Sequence, residues 1–192
     1  MNRKTLKTIP CTLGTFASGG LTKIGSGTLN IVGTNTYTGA TTVRKGTLQL
    51  GADDVISSAS ALVLDGGTLD LNGKSQTFAS LSVTTNGGSV VNGTLSLAGL
   101  VIDFDDVLAG RPLVYGAAVN FAAGATLEVL NVDKAVRPPV RYTLTEFTGG
   151  MGGASLAVSQ STLDALPERW QIQVEGGKIV LRYPVGMSIV LR

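Results

Sequence analysis

The chain has 192 residues, and fifteen Lys+Arg against thirteen Asp+Glu leave a net charge of +2. With basic residues scattered rather than clustered on one face, that balance excludes a phosphate-driven nucleic-acid binder. Glycine supplies 26 residues and charged residues only 15%, but no three-residue period runs through the glycines, so the chain is not collagen, and 43% hydrophobic residues exclude disorder.

In chain order, Met1-Asn2-Arg3-Lys4-Thr5-Leu6-Lys7 has the positive flank of a signal peptide, yet no apolar core of seven or more residues follows it. Residues 1–18 are expected to be a leader or N-terminal extension, its export signal removed or the chain beginning inside a longer one. The single Cys11 makes no internal disulfide and no thiolate zinc site. Thr8, Ile9 and Pro10 before it are not the small-residue run of a lipidated cysteine, so it reads as an inert thiol. Histidine is absent altogether, which removes Ser-His-Asp and Cys-His nucleophile activation and the usual general base.

The next segment repeats itself. Gly27-Thr28-Leu29, Gly46-Thr47-Leu48, Gly67-Thr68-Leu69 and Gly93-Thr94-Leu95 carry one phrase, with a looser copy at Gly124-Ala125-Thr126-Leu127, and successive leucines lie 19, 21, 26 and 32 residues apart. A period near twenty marks a solenoid, in which each turn buries its apolar face only by stacking on the next. Within the copies, Thr47-Leu48-Gln49-Leu50, Ala61-Leu62-Val63-Leu64 and Thr68-Leu69-Asp70-Leu71 alternate with a two-residue period, which is strand and not helix. Joints such as Asp65-Gly66-Gly67 and Asn72-Gly73 accept left-handed turns. Antiparallel hairpins use the same signals, but a meander needs no phrase returning every twenty residues. Residues 19–102 therefore read as the repeat region of a parallel β-helix, about four coils rising about 4.8 Å each. Ser75 to Ile102 carries no charge, but Ser, Thr, Asn and Gly punctuate it, so no membrane-spanning helix is expected.

After Ile102 the repeats loosen, and five of the six prolines, most charges and most aromatics follow. Strand-like runs persist at Thr126–Leu130, Arg141–Leu144, Gln171–Val174 and Lys178–Leu181, with one helical turn at Ser161–Leu166 ended by Pro167. Val174-Glu175-Gly176-Gly177-Lys178-Ile179 reads as a hairpin around a Gly-Gly turn. Residues 103–192 are expected to form a β-rich, irregular C-terminal cap.

Gly19-Gly20-Leu21-Thr22-Lys23-Ile24-Gly25-Ser26-Gly27-Thr28-Leu29, then Asn35-Thr36-Tyr37-Thr38-Gly39 and Thr41-Thr42-Val43-Arg44-Lys45-Gly46-Thr47-Leu48, closely resembles the autotransporter-associated β-strand repeat, the passenger-associated transport repeat of type V secreted bacterial proteins. The resemblance implies an all-β fold, a right-handed parallel β-helix passenger carried to the cell surface, and no catalytic residue. A complete autotransporter would also end in an outer-membrane barrel, and the Pro- and Gly-broken stretch after Ile102 does not read as one. Self-translocation is not expected of this chain.

Candidate sites are few. Strand alternation would place Asp103 and Asp105 of Asp103-Phe104-Asp105-Asp106 on one face, suiting Ca²⁺ or an acid/base pair, against a plainer reading as a solvated, edge-shielding turn. Asp53-Asp54 sits in another joint. Gly25-Ser26-Gly27 lacks the third glycine of a dinucleotide fingerprint, since Asn30 stands there, and reads as a turn. Tyr37 and Trp170 could stack on sugars, but a lone aromatic is more often a packing residue, and Arg137-Pro138-Pro139-Val140-Arg141 reads as an extended loop. The expectation is a non-enzymatic, extracellular or surface-displayed β-solenoid of passenger, adhesin or self-assembling type. It would have no cofactor or metal, with strand edges available for a homo-oligomer or filament and a surface glycan or protein as ligand. The rival is a carbohydrate-binding or polysaccharide-cleaving β-helix using Asp103 and Asp105.

Overall fold

A computed structural model describes residues 6–9, 18–110, 113–135, 141–153 and 155–183, with residues 6–9 and 113–115 described by backbone alone. Cys11, the basic flank at Arg3 and Lys4, and residues 137–140 of the expected loop lie outside the described residues.

The first nine strands are β1 (Leu6–Ile9), β2 (Leu21–Lys23), β3 (Thr28–Ile31), β4 (Thr41–Val43), β5 (Thr47–Leu50), β6 (Ala61–Leu64), β7 (Thr68–Phe78), β8 (Ser80–Val83) and β9 (Ser89–Asp103). They form two parallel ladders, β1-β3-β5-β7 and β2-β4-β6-β8, both closing on the long β9. Pairing strands two apart in sequence, all parallel, is a β-solenoid, here of about five turns.

Two-residue alternation decides what stacks inside. In β5 and β6 every second side chain is buried, and the inward residues fall in rows. Leu29, Leu48, Leu69 and Val90 are successive partners in one row, and Leu62, Leu81, Leu100 and Leu127 in another. Burying each such aliphatic side chain contributes about 1.5–3 kcal/mol. Close stacking also needs bare backbone at the corners. Gly46, at φ +70, is such a place: a Cβ there would lie 2.5 Å from the carbonyl oxygens of both Gly25 and Gly27.

The repeated phrase stays in register only for its first three copies. Leu95 stacks on Gln76, and Leu127 on Leu100, so the last two copies occupy different places in the coil. The leucine spacing departs from twenty at the same points, because β7, β9 and later β11 bend through the corner as continuous strands with register shifts.

Past Ile102 the chain turns into α1 (Phe104–Leu108), then β10 (Leu113–Tyr115) and β11 (Ala118–Leu130). β11 lies parallel on β9, and β13 (Met151–Gly153) and β14 (Ala157–Val158) lie parallel on β11, so parallel stacking continues beyond Ile102. Between them runs β12 (Arg141–Phe147), and after them come α2 (Gln160–Ala165), β15 (Gln171–Glu175) and β16 (Lys178–Arg182). A second sheet, β10-β12-β16-β15, is mostly antiparallel. The expected hairpin joins β15 to β16 with Glu175 opposite Lys178, its Gly176 and Gly177 both at positive φ as a primed turn requires. The expected helical turn is α2, N-capped by the Ser159 side chain, which accepts from Thr162 N–H.

Aromatic residues bind this sheet to the end of the stack. Tyr142 lies edge-on to Phe104 at 5.0 Å and beside Trp170 at 5.6 Å, and Trp170 meets Tyr183 at 5.5 Å. Pairs of this geometry contribute about 0.5–1.5 kcal/mol beyond the area they bury.

Candidate functional site

The outward rows of the solenoid carry its polar chemistry. On one face Gln49 Nε2 donates to Asp70 Oδ2 at 3.0 Å, and Asn92 Nδ2 and the Asn72 N–H donate to Asp70 Oδ1. At another corner Asp65 accepts from Thr84 Oγ1 and Asn86 Nδ2, each at 2.6 Å, and its other oxygen meets Arg44 Nε at 3.2 Å. The Thr84 and Asn86 hydrogen bonds hold the Asp65 carboxyl below its usual pKa, with Arg44 adding to them. For Asp70, desolvation pulls upward, but the bonds from Gln49, Asn92 and Asn72 win and the net direction is also down. These carboxylates tie coil to coil, and their side-chain partners sit 19 to 22 residues away.

Lys23 lies inside the turn between β2 and β3. It is 6% exposed, and its ammonium donates to the carbonyls of Ile24 and Gly25 and, on the next coil, Lys45, at 2.8–2.9 Å. Burial pushes its pKa below the ordinary lysine value. Of Gly25-Ser26-Gly27, the Gly25 carbonyl thus faces a cation, the opposite polarity from a phosphate cradle.

The aspartates after Ile102 do not share a strand face, which corrects the alternation argument. β9 ends at Asp103, whose Oδ1 N-caps α1 by accepting from Asp105 N–H at 3.0 Å and also takes a bond from Asn131 Nδ2. Asp105 is already in the helix and pairs with Lys134 Nζ at 2.6 Å. The helix wins because Asp103 is a favourable N-cap and two further acids fall in the first turn. Both carboxylates are thus engaged in holding the bend at the end of β9. Among the described residues no group of three His, Cys, Asp or Glu side chains is placed to hold a metal ion.

Tyr37 and Trp170 are both inside. Tyr37 is 4% exposed, and its hydroxyl is 2.9 Å from Thr41 Oγ1, which in turn is 3.0 Å from Ser60 Oγ. Trp170 is 6% exposed within the aromatic cluster. Neither offers a ring face for a sugar.

What reading the sequence missed is a polar trough at the corner formed by residues 34–36, 54–58 and 77. It measures about 550 Å³ and is lined by Thr34, Thr36, Asp54, Ser57, Ser58 and Thr77, residues from three successive coils, with Asn35 and Ile56 beneath. Asp53 Oδ1 accepts the Ser75 N–H at 2.7 Å, and Asp54 Oδ1 accepts the Thr77 N–H at 3.0 Å. The joint Asp53-Asp54 therefore closes the corner against the next coil. The signal was present in the sequence as Ser and Thr at coil spacing, but only the stacking register shows that they converge.

Among the described residues no helix is long and apolar enough to cross a membrane. Residues 21–50, from the start of β2 to the end of β5, match the passenger-associated-transport-repeat family. The chain is also similar to the adhesin BmaC autotransporter of Brucella suis biovar 1 (strain 1330), at 41% identity over 137 residues, which cover 69% of this chain and 4% of that protein. The aligned stretch is thus a small part of the length of the curated relative. No solved structure matches the chain.

Proposed function

Because the chain carries an autotransporter-associated repeat on a parallel β-solenoid, we infer that it acts as a non-enzymatic rod segment displayed on the bacterial surface, in an adhesin-type role. The observation that carries this reading is the coincidence of the matched repeat, residues 21–50, with two coils of a stack that runs on through β11. Similarity to an adhesin autotransporter supports surface location and a binding role. The absence of histidine and the engagement of Asp103 and Asp105 in a helix cap and an ion pair support a structural role over a catalytic one. Within the chain we assign residues 19–102 to the repeat region, with β1 of residues 1–18 stacking ahead of it and, in residues 103–192, β11, β13 and β14 prolonging the stack before the mostly antiparallel sheet caps it.

End-to-end assembly is a second reading, favoured by one observation: among the described residues β2 ends its ladder with one edge unpaired. Such an edge is a template for another strand, and a head-to-tail contact of that kind gives filaments rather than closed dimers. Sedimentation velocity over a hundredfold concentration range tests it. A growing sedimentation coefficient with fibres under the microscope supports assembly, and a constant monomer removes it.

The surface reading is tested on intact bacteria producing the protein with an epitope in the exposed Asn72-Gly73 turn. Antibody labelling without permeabilisation is expected. Labelling that appears only after permeabilisation contradicts it.

A further inference from the structure

The geometry points to a ligand subsite in the three-coil trough at residues 34–36, 54–58 and 77, one that takes a neutral oligosaccharide. The trough's volume, about 550 Å³, falls in the range of small-ligand sites. Its upper and lower rims are two coil rises apart, about 10 Å, a span that suits a disaccharide unit.

Its hydroxyls are uncommitted. Along the rod some outward hydroxyls, those of Thr68 and Thr84, bond side chains on a neighbouring coil, and others, those of Thr42 and Thr47, bond nothing among the described residues; the trough differs in gathering several of the second kind around one space. In the trough, the hydroxyls of Thr34, Thr36, Ser58 and Thr77 bond nothing among the described residues, although all four line the same space. Asp54 uses Oδ1 on the Thr77 N–H and leaves Oδ2 without a partner among those residues. It is held at φ +45, a left-handed conformation uncommon outside glycine, by that bond and by its own N–H to Ser75 O at 3.0 Å. Four hydroxyls that donate or accept, beside one carboxylate oxygen that only accepts, match the alternating hydroxyls of a sugar.

Other ligand classes fit less well. No Lys or Arg lines the trough, and Asp53 and Asp54 stand together at its side, so an acidic polysaccharide meets like charge. An added peptide strand finds few free backbone groups. Asn35 N–H is bonded to Val55 O, and both backbone groups of Ile56 are bonded to Gln76. Ile56, the apolar lining residue, is 1% exposed and offers no pocket for an apolar side chain.

The subsite gives the adhesin-type reading its ligand class and rests on that reading for its biological use, but its test does not. Amide shifts of the purified, isotope-labelled chain are followed on titration with cellotetraose, maltotetraose, chitotetraose and tetragalacturonate. At least one neutral tetrasaccharide is expected to give saturable shifts centred on residues 34–36, 54–58 and 77. The T36V/T77V variant keeps side-chain shape and is expected to weaken binding at least tenfold with an unchanged melting midpoint. Asp54→Asn tolerates the positive φ and keeps the acceptor for Thr77, and it is expected to weaken binding severalfold. No saturable shift with any neutral sugar, tighter binding of tetragalacturonate, or wild-type affinity in both variants overturns the proposal. Each of those failures leaves the surface-labelling result untouched, so loss of the subsite and loss of surface display are read separately.

Discussion

Gln76 and Ile56 are paired as if the glutamine side chain were a strand. Gln76 Nε2 donates to Ile56 O at 2.7 Å, and Gln76 Oε1 accepts from Ile56 N–H at 3.1 Å. Both residues are 1% exposed, so this amide replaces the ladder bonds that Ile56, lying between β5 and β6, does not make.

Gln76→Leu keeps the volume and removes both partners. Two buried backbone groups are then unpaired, at about 1–3 kcal/mol each. A loss of about 2–5 kcal/mol in urea unfolding is expected, and a change under 1 kcal/mol would show that water or a shifted backbone satisfies Ile56.

Two glycines with similar backbone angles separate conformational strain from steric exclusion. Gly46 and Gly73 lie at φ +70 and +76, but a Cβ on Gly73 meets nothing within 4 Å, whereas on Gly46 it meets two carbonyl oxygens at 2.5 Å. Gly73→Ala is expected to cost about 1 kcal/mol, the left-handed penalty alone. Gly46→Ala is expected to cost at least twice that, since the coil of β2 and β3 and the coil of β4 and β5 must move apart. Equal midpoints for the two variants would contradict the close stacking.

The coil-bridging aspartates set an acid limit. For Asp65 and Asp70 the folded pKa is lowered below the unfolded one, so their contribution to stability is complete above the ordinary aspartate pKa and is lost as pH falls through the lowered folded values. In thermal melts from pH 6 to pH 2, the wild type is expected to lose stability below about pH 4. The D65N/D70N variant is expected to start less stable and to show a shallower acid limb. Parallel curves would mean that the two carboxylates carry no net linkage.

Asp103→Asn with Asp105→Asn tests the catalytic rival. Asn caps a helix about as well as Asp, and an exposed ion pair such as Asp105–Lys134 is screened by solvent and adds little to stability. The double variant is therefore expected to melt within a few degrees of wild type. A reducing-sugar assay on acidic polysaccharides is expected to give the same background for both. Activity in the wild type that vanishes in the variant would restore the pair as an acid and a base.

The ladder rows were legible in the sequence because a β-solenoid writes its core as a two-residue alternation inside a twenty-residue period. Leu48 and Leu69 could be placed from the repeat spacing and Leu62 from the alternation. The register of Leu95 and Leu127 could not, since the phrase Gly-Thr-Leu marks a turn leading into a strand and the same chemistry serves more than one corner of a coil. Asp103 and Asp105 misled because a helix cap and a strand end are written with the same residues. The trough was illegible for a related reason: Thr34, Asp54 and Thr77 are ordinary outward residues until stacking sets them one above another.

Labelling of the Asn72-Gly73 epitope on intact cells decides whether the solenoid is displayed at the bacterial surface. Display requires antibody binding on unpermeabilised cells that is removed by external protease. Signal that is protected from protease and seen only in permeabilised cells would contradict it.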